Sequence, residues 1–263
     1  MSGAARAWKR AAGSALFALG AQRALLRDTG VVVAFHRVND RTAGDALSVG
    51  VADFARFCRF FRAHFDVIPL GALLTRLERG QPLAGCLAIS FDDGYLDNYS
   101  CAAPVLQQLG LPATFFAVSS FLGSRTRAWW DAGIEPAPPW MSWAQLRELH
   151  AAGFEIGAHT HTHANLGEIR GKQAREEILR GKDELEQGLG AAVSNFAYPY
   201  GRANALSEEN RALVRELGLR SCASCHGGLI RPDTEPFRLP RVPINGWFAS
   251  AAQFGLEVAL GRA

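Results

Sequence analysis

Ser90-Phe91-Asp92-Asp93-Gly94-Tyr95 sets two adjacent carboxylates at the end of an apolar run and follows them with glycine. Neighbouring side chains on a strand point to opposite faces, but a glycine turn can bring both acids to one cavity. The alternative is a solvated Asp-Gly turn. Gly157-Ala158-His159-Thr160-His161-Thr162-His163 carries three histidines within five positions, again behind an apolar run. Packing does not readily explain such a cluster. Imidazole is a frequent metal ligand and the strand-to-loop setting suits a site, with a solvated polar loop as the rival. Spacing leaves the ligands open: a continued strand aligns all three, whereas a turn after His159 pairs it with His163. Two histidines and one carboxylate would hold a divalent cation with positions left for water. The second carboxylate could then act as base, which is what a hydrolase needs.

Other residues have weaker chemical claims. His36 lies in Phe35-His36-Arg37-Val38 on an apolar run, where a core histidine is the alternative to a functional one. The long connection 121–141 holds Trp129, Trp130, Trp140 and three prolines. Connections of that length inside a domain are usually functional. Tryptophan faces stack on sugar rings, so these three read as a substrate wall, or else as core over the mouth of the fold. Cys222-Ala223-Ser224-Cys225-His226 matches the c-type haem attachment string. No second axial ligand or haem pocket stands out, so no haem is expected and the cysteines read as incidental to a strand end. Five cysteines at scattered positions do not make a disulfide framework.

The elements that must position these residues alternate. Apolar runs at 31–38, 66–70, 86–91, 113–119, 154–158, 195–198 and 219–223 read as strands. Helical patterns fill 51–64, 71–78, 98–109, 142–152, 172–189, 207–217 and 250–260. Such β-α alternation implies a parallel sheet covered by helices, either a barrel or a doubly wound sheet. In both, function gathers at the carboxyl ends of the strands, where the acids and histidines stand.

The 263 residues suit one large domain, and no repeat or linker divides them. Lys+Arg 28 against Asp+Glu 25 leaves a net charge of +3, too small a surplus to argue for nucleic acid. No apolar stretch approaches the ~18 residues that span a bilayer. Residues 1–30 form a separate N-terminal segment before a domain at 31–263. Its Arg6, Lys9, Arg10 and mild apolar run read as a cationic amphipathic helix able to touch a membrane surface. The expected location is therefore cytoplasmic or at the inner membrane face. It is periplasmic if residues 1–20 are a signal peptide.

Phe91-Asp92-Asp93-Gly94, His159-Thr160-His161-Thr162-His163 and Phe196-Ala197-Tyr198-Pro199-Tyr200-Gly201 stand in the order used by polysaccharide deacetylases, the NodB-homology group or carbohydrate esterase family 4. The resemblance runs from about residue 31 to residue 244. Phe35-His36-Arg37-Val38 resembles the bacterial poly-N-acetylglucosamine deacetylase branch, whose motif order is permuted. The resemblance implies a distorted (β/α)7 barrel and a metal-dependent hydrolase that removes N-acetyl groups from an N-acetylated sugar or polysaccharide, releasing acetate. It implies Asp93, His159 and His163 as metal ligands, with Zn2+ first and Co2+ or Ni2+ as alternatives. Asp92 becomes the general base, His36 the general acid, and Tyr200 the backbone N–H donor to the oxyanion. His161 becomes a bystander or a residue that supports the ligands from behind.

Two departures matter. Ala197 stands where many members carry the Arg that tunes the base, and Arg241 is the candidate substitute, a plain structural salt bridge being the alternative. The late Leu-x-His motif is absent, which is why His36 is needed as the acid. The rival functions are a metal amidohydrolase acting on a small molecule and a catalytically inactive glycan-binding deacetylase fold. The intact Asp92, Asp93, His159 and His163 argue against the second.

Overall fold

Val31, Val32, Val33, Ala34 and Phe35 are all buried, and a strand hidden on both faces must lie inside a covered sheet. The structure is a computed structural model that describes residues 3–248 and 250–262. In chain order its elements are α1 (Gly3–Ala18), α2 (Gln22–Leu25), β1 (Val31–Phe35), β2 (Arg37–Val38), β3 (Ser48–Val49), α3 (Val51–His64), β4 (Asp66–Val67), α4 (Leu70–Glu78) and β5 (Cys86–Phe91). Then follow α5 (Ala103–Leu109), β6 (Thr114–Ala117), α6 (Trp143–Ala151), β7 (Glu155–Ala158), α7 (Gly171–Leu189), β8 (Asn195–Ala197), α8 (Glu208–Glu216), β9 (Ser221–Ala223), β10 (Val242–Pro243) and α9 (Ala251–Ala259).

The main sheet runs β10-β1-β5-β6-β7-β8-β9, every pair parallel, and β4 adds to the start of β5. Leu239 bridges in parallel to Ala223 on the far side of β9, its N–H donating to the Cys222 carbonyl at 3.1 Å. Residues 239–243 thus join the last strand back to the first and close a distorted (β/α)7 barrel.

Alternation along the strands sorts two cores. Val32, Cys86, Ala88, Phe116, Ala197 and Ala223 cluster with Leu70, Leu73, Leu74 and Leu77 of α4. Residues of the other parity, such as Val33, Phe35, Ile89, Phe91, Phe115 and Phe196, pack on Phe54, Leu106, Leu146, Ile178, Val214 and Phe254 of the surrounding helices. Ser90 and Asp92 share the parity of Cys86 and Ala88. They extend the first column towards the carboxyl end of β5, where parallel barrels build their sites. Outside the ring, α1 lies along α9. Its Phe17 is buried, and a Cβ on Gly13 would stand 1.9 Å from the Ala252 carbonyl oxygen, so only glycine allows this approach.

Several sequence expectations are corrected. The run 31–38 is not one strand: it breaks at His36, and Arg37–Val38 leave to pair with Ser48–Val49. The strand expected at 66–70 stops at Val67, because Pro69 starts α4 at Leu70. Residues Asn98–Ala102 form a π-helical turn before α5. Strand β10 was missed, since two residues ending in proline carry no readable period.

Candidate active site

Strand β5 ends at Phe91, and the Asp92 N–H still donates to the Phe35 carbonyl at 2.9 Å. Asp93 then takes φ 72°, and Gly94 takes φ 88°. A left-handed turn cancels strand alternation, so both carboxylates line one cavity. Thr160 (φ 63°), His163 (φ 62°) and Tyr200 (φ 63°) are left-handed too. Three of the five non-glycine residues with positive φ among those described, Asp93, His163 and Tyr200, therefore line this cavity, and Thr160 follows its His159 directly; the fifth is Ala84. Each such residue costs about 1–3 kcal/mol and persists only where its surroundings impose it.

The turn at Thr160 decides the histidine pairing. His159 follows β7, and its Nδ1 lies 2.7 Å from the Ala197 carbonyl oxygen. A carbonyl only accepts, so Nδ1 carries a proton, and Nε2 faces Asp93 Oδ1, 3.4 Å away. His163 Nε2 lies 3.2 Å from the same oxygen. His161 goes elsewhere: its Nδ1 is 2.9 Å from Glu184 Oε2 and 3.0 Å from Ser119 Oγ. Helix α7 comes this close because Gly181 has no side chain; a Cβ there would meet the Thr160 carbonyl carbon at 2.5 Å.

The triad fits a cation. One ligand atom each from Asp93, His159 and His163 lies within 4.8 Å of the others, and all three residues are buried. Asp93 Oδ1 has no hydrogen-bond partner, an orphan whose position between two imidazoles a cation would satisfy. Zn2+ with bonds of about 2.0–2.1 Å asks for tetrahedral edges of about 3.3 Å, and the two edges to Asp93 measure 3.4 and 3.2 Å. Burial opposes charge on Asp93, but the two imidazoles beside it, His159 and His163, outweigh it and hold the carboxyl well below its usual range. Burial holds the His163 pKa down, favouring the neutral imidazole that ligates metal.

Asp92 has a different partner. Arg241, fully buried, places Nη1 2.7 Å from Oδ1 and Nη2 2.7 Å from Oδ2. Its Nε donates to the Ser224 carbonyl at 2.6 Å, and Nη1 also donates to Ser90 Oγ at 3.0 Å. Burial pushes the Asp92 carboxyl up, but the charge of Arg241 outweighs it and keeps the pKa below the usual value. His36 Nε2 stands 4.0 Å from Asp92 Oδ2, and Asn98 Nδ2 pins the His36 carbonyl at 2.7 Å. Cys225 Sγ lies 3.2 Å from Arg241 Nη2, and burial pushes this thiol up to about 12. The sequence reading assigned Cys225 nothing. Its position four residues after the start of β9, opposite Asp92, is a consequence of barrel closure and has no local signal.

These groups open on a cavity of about 430 Å³. Trp129 and Trp130 line it, Trp129 being 70 % exposed and giving its Nε1–H to the Tyr200 hydroxyl at 3.3 Å. Trp130 packs 4.4 Å from the His163 ring. Trp140 does not belong to this wall, contrary to expectation. It is buried between Tyr95 (4.4 Å) and Phe121 (4.5 Å), with Nε1 donating to the Thr126 carbonyl. Sequence reasoning also missed the support behind Trp130. Its Nε1–H donates to the Tyr95 hydroxyl at 2.8 Å, Tyr95 donates to Asp131 Oδ2 at 2.8 Å, and Asp131 pairs with the buried Arg37. The available signal was Arg37 itself, a charge on an apolar run that needed a buried partner.

A parallel barrel with a buried carboxylate-histidine-histidine triad and a second, ionised carboxylate at its strand ends defines a metal-dependent hydrolase. The family model for polysaccharide deacetylase matches residues 79–222, more than half of the chain, and the chain belongs to that family. YxkH of Bacillus subtilis (strain 168), named as a polysaccharide deacetylase, is 24% identical over 229 residues, covering 86% of this chain and 75% of its own. The poly-beta-1,6-N-acetyl-D-glucosamine N-deacetylase of Staphylococcus aureus (strain MRSA252) is 22% identical over 208 residues, covering 75% of this chain and 68% of its own. The structure of IcaB from Ammonifex degensii superposes with a TM-score of 0.72 at 23% identity, covering 87% of this chain and 97% of that one, and so shares the fold.

Proposed function

We propose that the protein removes N-acetyl groups from N-acetylglucosamine units of a glycan, with Zn2+ held by Asp93, His159 and His163. The observation that carries this reading is the orphaned Asp93 Oδ1 between two imidazole Nε2 atoms, one residue from a carboxylate kept ionised by Arg241. The name of the Staphylococcus aureus relative supports a β-1,6-linked polymer as the substrate.

When bound, the cation supplies Lewis acidity to the amide carbonyl and to the attacking water. Asp92 takes the proton of that water, and Arg241 keeps it deprotonated and immobile for the task. The backbone N–H of Tyr200 donates to the oxyanion as the carbonyl carbon becomes tetrahedral. Tyr200 lines the cavity, and one such donor is typically worth about 2.7–4 kcal/mol. His36 gives a proton to the departing amine nitrogen, without which the C–N bond does not break readily. Trp129, Trp130 and the exposed edge of Tyr200 form an aromatic wall against which a sugar ring stacks.

The test is acetate release from soluble β-1,6-linked N-acetylglucosamine oligomers against a simple N-alkyl acetamide. Release from the oligomers and not from the acetamide is expected; a preference for the acetamide would favour a small-molecule amidohydrolase. Positioned acid catalysis is worth about 10²–10⁴-fold, so His36→Ala should lose that much on amides and less on an acetyl ester. Equal loss on both would remove His36 from the acid role.

A further inference from the structure

Arg37 is a charge that the fold hides from water, one residue after His36. Its guanidinium sends each nitrogen to a different residue. Nε donates to Ser48 Oγ at 3.0 Å, Nη2 donates to Asp45 Oδ1 at 2.7 Å, and Nη1 donates to Asp131 Oδ1. The Arg37 backbone N–H adds a bond to the Leu47 carbonyl at 3.0 Å, and Asp45 Oδ1 also accepts the Leu47 N–H at 2.8 Å. On the other side, Asp131 Oδ2 accepts the Tyr95 hydroxyl, whose oxygen accepts the Trp130 Nε1–H, at 2.8 Å each. The two arms end on two separate segments of the catalytic lining. Ala46 and Leu47 line the cavity from one, Trp129 and Trp130 from the other, and His36 lines it as well. Neither segment belongs to the barrel sheet. They also meet directly, where Arg41 Nη1 donates to the Pro136 carbonyl at 2.5 Å.

We propose that Arg37 is a positioning residue: it sets the wall carrying Leu47 and the wall carrying Trp130 at a fixed spacing from each other and from His36, and so shapes the cavity for its substrate. Stability alone is a poor reason for such a cluster. Buried ion pairs are often no more stabilising than apolar side chains of the same volume, and their best-attested use is to fix one arrangement among several. Arginine suits that use, because its planar fork holds acceptors in fixed directions, whereas an ammonium on a flexible stem does not. One arm also reaches the metal ligands, since Trp130 packs 4.4 Å from the His163 ring. A sugar unit entering the cavity then meets walls already ordered, and binding is spared the entropy of ordering two loops. The proposal rests on the glycan reading above for its substrate; the clamp itself does not depend on that reading.

The test combines kinetics on β-1,6-linked N-acetylglucosamine oligomers with the NMR signal of the Trp130 indole N–H in substrate-free protein, identified by its loss in Trp130→Phe. Tyr95→Phe keeps the ring against Trp140 and removes only the hydroxyl. Asp45→Ala removes a partly exposed carboxylate bonded to Arg37 and to the Leu47 N–H. Both variants should fold and keep wild-type metal content. Each should raise KM about tenfold with a smaller fall in kcat, since a misplacement of about 1 Å can cost about 100-fold. Arg37→Lys keeps the buried cation but should raise KM at least as much, because an ammonium cannot serve both arms. The Trp130 signal should shift in all three variants, including Asp45→Ala, which reaches it through Arg37. Wild-type KM in Arg37→Lys would overturn the proposal by showing that charge suffices. A Trp130 signal unmoved by Asp45→Ala would overturn it by showing that the walls are set independently, and this result decides even if Arg37→Lys does not fold. Variants that lose melting temperature alone, with KM and signal unchanged, would make Arg37 a purely structural pair. If the wild type releases no acetate from the oligomers, the glycan reading fails and the Trp130 signal alone decides the clamp.

Discussion

Arg241 grips Asp92 with both arms of its guanidinium, 2.7 Å to each carboxylate oxygen, in a position no solvent reaches. The residue arrives from β10's side of the closing segment, 149 positions along the chain from its partner. We propose that it serves Asp92 in place of the arginine that the family resemblance leads us to expect at Ala197, a residue buried on β8 between β7 and β9.

Arg241→Met should leave a buried, unpaired carboxylate, and breaking such a pair from one side costs about 3–5 kcal/mol. The pH dependence has a definite sign. The folded pKa of Asp92 is depressed, so the pair stabilises the protein above the unfolded value of about 3.9 and loses its effect as the pH falls through the folded value. The melting-temperature gap between wild type and variant should therefore be full at pH 7 and close on acidification. With Arg241 gone, burial raises the Asp92 pKa, and the acid limb of kcat/KM should move to higher pH. A gap independent of pH would show that Arg241 acts only through packing.

The two histidines that flank Thr162 should separate cleanly. His163→Ala removes a group 3.2 Å from Asp93 Oδ1 and should lose bound metal. His161→Ala removes a partner of Glu184 and Ser119 and should retain it. Metal content per chain by elemental analysis, after dialysis of the loaded proteins, decides between them; the opposite pattern would mean a different ligand pair.

The tryptophans should split in the same way. Trp129→Ala touches an exposed ring and should raise KM for oligomers while leaving the melting temperature near wild type. Trp140→Ala empties a site between Tyr95 and Phe121, where loss of a large aromatic typically costs about 3–5 kcal/mol. Thermal unfolding and oligomer kinetics of the two variants check both expectations, and equal destabilisation would refute the division.

What could be read from the sequence follows from how local its causes are. The limits of α3 (Val51–His64) and β5 (Cys86–Phe91) were legible to the residue, because phenylalanine spacing and an apolar run ending in two acids fix them. The barrel strands and their common site end were legible for the same reason. The break at His36 was not, since Arg37 and Val38 change partners only when residues 48 and 49 return beside them. The choice of His159 with His163 over His161 depends on one left-handed residue, Thr160, and on Gly181 of a helix that comes later in the chain. The roles of Trp130 and Trp140 were inseparable by composition. Tyr95, Asp131 and Arg37 separate them through a buried chain of bonds between three distant segments.

The central claim is a division of labour between adjacent carboxylates, Asp93 on the cation and Asp92 on the proton. It is tested most directly by acetate release from N-acetylglucosamine oligomers, measured with bound metal on the same samples, for wild type, Asp92→Asn and Asp93→Asn. Chelation should abolish wild-type turnover and Zn2+ should restore it. Asp92→Asn should keep the metal and lose about 10²-fold or more in kcat, the usual weight of a positioned base, while Asp93→Asn should lose the metal itself. Near-normal kcat in Asp92→Asn, or full turnover in a verified metal-free preparation, would contradict the account.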